Sequence, residues 1–119
     1  MAYIVCEPGM KVGEVGQADL VKRDDIDTAI GYALGCEMMG MEFVYLEAGS
    51  GADEPISPEM IKAVKDEISV PLIIGGGIST PEAAVTAKLA GADIIVTGTF
   101  VERCIDEHML RNVIAASKN

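Results

Sequence analysis

Tyr45 and Glu47 stand two residues apart in YLEAGSGA, residues 45–52. In an extended segment that spacing puts both side chains on one face and Leu46 on the other. A phenol and a carboxylate brought together in this way can hydrogen-bond a hydroxyl or take its proton. The acid is followed by Ala48, Gly49, Ser50 and Gly51, small residues whose backbone a ligand can approach closely. A second small-residue run, Gly75, Gly76 and Gly77, ends the apolar segment in PLIIGGGISTP (71–81), and a third, Gly98-Thr99, closes ADIIVTGT. Glycine loses more backbone freedom on folding than any other residue, so three such runs ask for a reason. Backbone amides of a glycine loop and a following helix N-terminus bind phosphate without a basic side chain. The other reading is tight turns between elements and, for Glu47, a solvated strand-end acid.

The segments that position these residues alternate regularly. AYIVCE (about 2–7), EFVYLEA (about 42–48), VPLIIG (about 70–75) and ADIIVTG (about 92–98) are β-branched or aromatic. Their hydrophobicity is nearly continuous, as in strands covered on both faces. Between them, RDDIDTAIGYALGCEMMG places Ile26, Ala29, Ile30, Ala33 and Leu34 on one helical face. Asp24, Asp25 and Asp27 suit its N-terminus and Gly40 its C-terminal cap. SPEMIKAVKDEI opens with Ser57 as N-cap and Pro58 at the first helical position, with Ile61, Val64 and Ile68 as its stripe. TPEAAVTAKLAGAD repeats the device with Thr80 and Pro81 and ends at Gly91. A last helix over about 102–117 puts Ile105, Met109, Val113 and Ile114 on one side. Met38, Met39 and Met41 read as core or interface filling.

Four strand–helix units predict a parallel sheet with right-handed crossovers, in a single domain over 1–119. Ligands of such sheets bind at the carboxyl ends of the strands, where the glycine runs lie. A closed barrel of eight units takes about 250 residues. The chain is therefore either a small open α/β sheet or half of a barrel with edge strands that seek partners. The segment 8–23 is long for a strand–helix connection, which points to a functional loop.

Composition narrows the function classes. Nineteen acidic residues against nine basic ones give a formal net charge of −10, which disfavours nucleic acid and anionic membranes. Cys6, Cys36 and Cys104 form no metal-ligand spacing and no even disulfide set, so free thiols in a reducing cytoplasm are expected. No basic n-region or long apolar run indicates a signal peptide or a membrane span. Lys11 and His108 read as solvated side chains. GGGIST follows a strand but has neither the P-loop nor the dinucleotide-binding spacing.

VYLEAGSGA, together with VPLIIGGGISTPEAA and AGADIIVTGTFVE, resembles the geranylgeranylglyceryl phosphate synthases of archaea and their bacterial prenylglyceryl phosphate relatives. YIVCEPGMKV and RDDIDTAIGYALGCEMMGM are similar to that family's fifth strand and following helix. The resemblance covers nearly the whole chain but only the second half of the family's barrel. It implies a (βα)4 half of a TIM (β/α)8 barrel, with parallel strands and helices outside. It also implies a prenyltransferase of ether-lipid biosynthesis, in which a hydroxyl of sn-glycerol 1-phosphate attacks C1 of a prenyl diphosphate and releases diphosphate. On the matching positions, Tyr45, Leu46, Glu47, Ala48, Gly49, Ser50 and Gly51 would hold the glycerol phosphate. Gly75, Gly76, Gly77, Gly98 and Thr99 would cradle its phosphate. Glu47, as proton acceptor, and Tyr45 are the catalytic candidates.

The family's magnesium (Mg2+) is expected as cofactor. Its aspartate ligand belongs to the half that these residues do not match, so no metal ligand is identifiable here. Where the family reads NPGS after its fifth strand, this chain reads EPGM. Exposed edges imply a homo-oligomer or pairing with another half-barrel. The alternatives are a non-catalytic phosphate-ligand binding or structural module, and a fragment of another phosphate-binding barrel.

Overall fold

The computed structural model describes residues 1–10, 20–49 and 51–97. The expected helix over 102–117 lies outside them, as do Lys11, Cys104 and His108. The elements are β1 (Ala2–Val5), α1 (Ile26–Met38), β2 (Val44–Glu47), α2 (Pro58–Glu67), β3 (Leu72–Gly75), α3 (Pro81–Ala90) and β4 (Ile94–Val96). The strands form one sheet in the order β1-β2-β3-β4, every pair parallel. Strands that neighbour in space as they do in sequence, joined in turn by α1, α2 and α3, are what repeated right-handed crossovers produce.

Local chemistry starts each helix. Thr28 donates to Asp25 from its backbone N–H (3.2 Å) and its hydroxyl (2.7 Å). Ser57 Oγ accepts from the Met60 amide, and Thr80 Oγ1 accepts from the Ala83 amide. Each bond satisfies an amide that the first helical turn leaves without a partner. Pro58 and Pro81 occupy the first turn, where the missing N–H costs nothing.

The helices lie on one face of the sheet. Ile4, Leu46, Leu72 and Ile74 meet Ala29, Ala33, Met60, Ile61, Val64 and Ala84 there. The alanines let the helices approach closely, and each fully buried Leu or Ile contributes about 1.5–3 kcal/mol. The other face carries Tyr3, Val5, Tyr45, Glu47, Ile73, Ile94 and Val96. Among the described residues no helix covers it, and Tyr3 and Ile94 are nearly half exposed. The apolar runs had suggested strands covered on both sides, but only alternate positions enter this core. Helices on one face of a parallel sheet are the layout of half a (β/α)8 barrel.

The strands are shorter than the apolar runs. Cys6 leaves the ladder for an isolated bridge with Val21. Pro71 has no amide to give, although its carbonyl accepts from Val44 (3.1 Å). Met38 and Met39 are exposed rather than core, because α1 ends there and turns them outward.

Two carboxylates tie the units together. Glu37, near the end of α1, accepts from the Ser69 amide and hydroxyl (both 2.6 Å) and from the Val70 amide (3.1 Å). These bonds hold its carboxyl below the usual range. Asp93 Oδ2 accepts from Lys65 Nζ (2.6 Å) and from the Leu72 amide (2.8 Å), joining α2, β3 and the approach to β4. Burial raises the Asp93 pKa, but the Lys65 ammonium and the Leu72 amide outweigh it and leave the group below its ordinary value. A depressed carboxylate stabilises the fold above its unfolded pKa and loses that contribution as pH falls through the folded one. Asp93→Ala is therefore expected to cost about 1 kcal/mol at neutral pH, its ion pair being partly exposed and screened. Urea denaturation at pH 7 and in the acid range below pH 4 checks this: the gap between variant and wild type closes on acidification.

Candidate functional site at the carboxyl rim of the sheet

Register brings the candidate residues into one row. Val5 pairs with Glu47, Glu47 with Gly75, and Gly75 with Val96, each the last residue of its strand. One step further on, the Ala48 amide donates to the Gly75 carbonyl and the Gly9 amide to the Ala48 carbonyl (both 3.0 Å). The loops after β1, β2 and β3 are thus stitched edge to edge.

Glu47 is 4 % exposed, and its Oε2 has no hydrogen-bond partner among the described residues. The Tyr45 phenol faces the carboxylate from the same side of β2. Both fit because Gly75 lacks a side chain: a Cβ there would collide with Tyr45 Oη and lie 2.5 Å from Glu47 Oε2. Burial pushes the Glu47 carboxyl up, and the Tyr45 hydroxyl and the Gly49 amide pull it only partly back. The ion pairs of the described residues, Arg23–Glu54, Lys62–Asp66 and Lys65–Asp93, leave Glu47 out. Its negative charge is felt nearby. Burial first and that charge second push the Tyr45 phenol well above its ordinary range, and raise Tyr3 as well. The same two causes push the Cys6 thiol up to about 12, so it stays protonated and unreactive near neutrality.

The next two glycines meet protein backbone. A Cβ on Gly76, whose φ is +87°, would lie 2.6 Å from the Gly49 nitrogen. One on Gly77 would lie 2.6 Å from the Glu54 carbonyl carbon. The run 75–77 therefore has a packing reason for its bareness in addition to any ligand. Of the predicted site, Tyr45, Leu46, Glu47, Ala48, Gly49, Gly51, Gly75, Gly76 and Gly77 fall within the described residues; Ser50, Gly98 and Thr99 lie outside them. Leu46 is fully buried on the helix side of β2, so its side chain faces away from this face.

Two residues at the rim had no sequence signal of their own. Tyr3 stands beside Tyr45, a proximity that register creates and spacing does not reveal. Arg23 borders a cleft with Glu7, Pro8, Met10, Gly51 and Asp53. Its guanidinium is engaged with the Pro55 carbonyl (2.7 Å) and Glu54 (3.2 Å). Among the described residues no group of three or more His, Cys, Asp or Glu is arranged to hold a metal ion.

The arrangement can receive a hydroxyl. An unpartnered, buried carboxylate oxygen accepts a hydrogen bond or a proton, and its raised pKa makes it the better base. The same burial has a cost that shows in stability. A carboxyl raised in the folded state weakens the fold as pH climbs through its folded pKa, and the penalty is relieved on protonation. Glu47→Gln is expected to stabilise the chain by on the order of 1 kcal/mol at pH 8, by removing the penalty of holding a buried carboxylate ionised. Thermal unfolding at pH 8 and pH 4 checks it, the gain shrinking at the lower pH. Gly76→Ala is expected to lose at least about 2 kcal/mol in the same assay, through its positive φ and the Gly49 backbone.

Comparison with known proteins identifies the family and the fold. The family model described as "PcrB family" matches residues 1–117. The geranylgeranylglyceryl phosphate synthase of Picrophilus torridus is 56 % identical over 103 residues, covering 87 % of this chain and 42 % of the relative. That of Thermoplasma volcanium is 48 % identical over 120 residues, covering 100 % and 48 %. The crystal structure of (S)-3-O-geranylgeranylglyceryl phosphate synthase from Thermoplasma acidophilum, in complex with substrate sn-glycerol-1-phosphate, superposes with a TM-score of 0.96 at 47 % identity. That superposition covers 99 % of this chain and 48 % of the other. The chain spans about half the length of the curated relatives it matches. A match running from the first strand to residue 117 leaves one assignment: the chain belongs to the PcrB family, with the fold of half its barrel.

Proposed function

We propose that this chain carries the glycerol-phosphate side of a prenyltransferase site, of the kind that joins sn-glycerol 1-phosphate to a prenyl group in ether-lipid biosynthesis. The observation that carries the reading is Glu47: a buried carboxylate whose Oε2 has no partner among the described residues, at the carboxyl rim of a parallel sheet. The solved relative that holds sn-glycerol-1-phosphate, alike over 99 % of the chain, supports the choice of ligand.

In this reading Tyr45 and Glu47 hold the glycerol hydroxyls, while backbone amides of the loop 48–51 and of Gly75–Gly77 approach the phosphate. Gly98 and Thr99, which lie outside the described residues, are assigned to the same phosphate by the family resemblance. The attacking hydroxyl oxygen forms a bond to C1 of the prenyl group as the bond from C1 to the diphosphate oxygen breaks. Diphosphate leaves with the electron pair, and the hydroxyl proton passes to the Glu47 carboxylate. Burial favours this transfer, because it raises the affinity of Glu47 for a proton. Magnesium belongs to the proposal for the whole enzyme, with ligands outside the described residues, and no step here runs through it.

Among the described residues one sheet face is uncovered and β1 and β4 each pair on one side, which supports association with another half-barrel, from a second copy or another chain. Free thiols at Cys6 and Cys36 are in keeping with a cytoplasmic setting. No helix of the described residues is long and apolar enough to cross a membrane.

Calorimetric titration of the chain with sn-glycerol 1-phosphate tests the reading. Binding is expected, with affinity reduced at least about tenfold in Glu47→Ala, which removes a charge-assisted hydrogen bond. Addition of geranylgeranyl diphosphate and magnesium then separates the roles. Ether formation abolished in Glu47→Ala supports the enzyme, whereas binding without turnover leaves a ligand-binding module. No binding to the wild type defeats the proposal.

A further inference from the structure

We propose that Tyr3 is a positioning residue for this site: its ring, on β1 beside Tyr45, keeps the Tyr45 phenol turned toward Gly75 and Glu47. The role this gives Tyr3 in substrate binding rests on the reading above, but the positioning itself does not.

The argument begins with register. Tyr3 pairs with Tyr45 across adjacent parallel strands, and both project from the face that the helices leave uncovered. Paired side chains on neighbouring strands stand roughly 5 Å apart, so two rings at one register position must stack or diverge. Here they stack, with centroids 4.8 Å apart and planes tilted by 43°. On its other side, Tyr45 does not stand straight above its β3 partner, Ile73. It leans one pleat further along the sheet, into the space that Gly75 leaves by having no side chain.

The phenol therefore has two walls. One is the bare backbone of Gly75, which opens the rotamer that faces Glu47. The other is the Tyr3 ring, which fills the space into which Tyr45 would otherwise swing. A tyrosine side chain has few staggered wells, so occupying one and opening another decides where the hydroxyl points.

Tyr3 lies outside the buried core cluster and is 45 % exposed, so its ring adds little to the packing of this half of the barrel. What its ring does touch is the residue that shares a face with the unpartnered carboxylate.

The test reads Tyr45 directly. The chain holds three tyrosines, Tyr3, Tyr32 and Tyr45, so carbon-13 labelling of the tyrosine Cζ gives three signals, assignable by single substitution to phenylalanine. Tyr3→Phe keeps the ring and is expected to leave the Tyr45 signal and its high ionisation pH in place. Tyr3→Ala is expected to shift that signal and to bring its ionisation down toward the ordinary phenol range. Affinity for sn-glycerol 1-phosphate, by calorimetry, is expected to fall about two- to tenfold in Tyr3→Ala and to be restored in Tyr3→Phe. If Tyr3→Ala loses the native circular dichroism, Tyr3→Leu takes its place with the same expected result. A Tyr45 signal unmoved by Tyr3→Ala, or moved equally by Tyr3→Phe, overturns the inference. A wild type without affinity for glycerol phosphate overturns the ligand reading instead, and the Tyr45 signal still decides the part played by Tyr3.

Discussion

The rim of this sheet is organised around one costly group, a carboxylate kept out of water with an oxygen that no described residue satisfies. Glu47 can hold that position because its register partner on β3 is Gly75. Any side chain at 75 would compete with the carboxylate and with the Tyr45 phenol for the same space. Several features follow from this single exchange of bulk for room. Tyr45 leans along the sheet, the Tyr3 ring backs it, and burial, with the charge of Glu47 second, raises the pKa values of both phenols and of the Cys6 thiol. A protein selected for stability alone would have no use for the arrangement, since an apolar residue in place of Glu47 avoids the desolvation cost. That imbalance is why the rim reads as a site.

The glycines of the rim are not equivalent. Gly75 makes room for side chains, whereas Gly76 and Gly77 make room for other loops. Gly49 belongs with the latter, its bare Cα facing the Gly9 backbone while Gly76 faces it in turn. Three loops from three strand ends are thus packed backbone to backbone. The bareness of Gly76 and Gly77 is explained by this loop packing, and the approach of a phosphate to their amides belongs to the proposed function.

Among the described residues the sheet has one face covered by helices and one that they leave open. Small residues on α1 and α3 and larger ones on α2 complete the helix side. The other side exposes aromatic and β-branched residues around the Tyr45–Glu47 pair. In a (β/α)8 barrel that face is interior, filled by side chains from all eight strands. The half-length match to the synthases of Picrophilus torridus and Thermoplasma volcanium agrees with such a division.

Much of this was legible in the order of the residues. The helix starts at Asp25, Ser57-Pro58 and Thr80-Pro81 were readable because capping is local: donor and acceptor lie within four residues of each other. The parallel α/β class followed from the alternation of strand and helix patterns, and the shared face of Tyr45 and Glu47 from the two-residue period of a strand. Strand lengths were less legible, because hydrophobicity runs past the point where Pro71 or the turn at Cys6 ends the ladder. The exposure of Met38 and Met39 was hidden as well, since where a helix stops relative to its neighbours is not encoded in its own period. Register belongs wholly to the tertiary structure. It set Gly75 opposite Glu47 and Tyr3 beside Tyr45, pairs separated by 28 and 42 positions along the chain. Local sequence determined which residues could do chemistry and on which face of a strand they lie. Only the packing of helices against one side of the sheet decided which strands slide into which alignment, and so which of those residues meet.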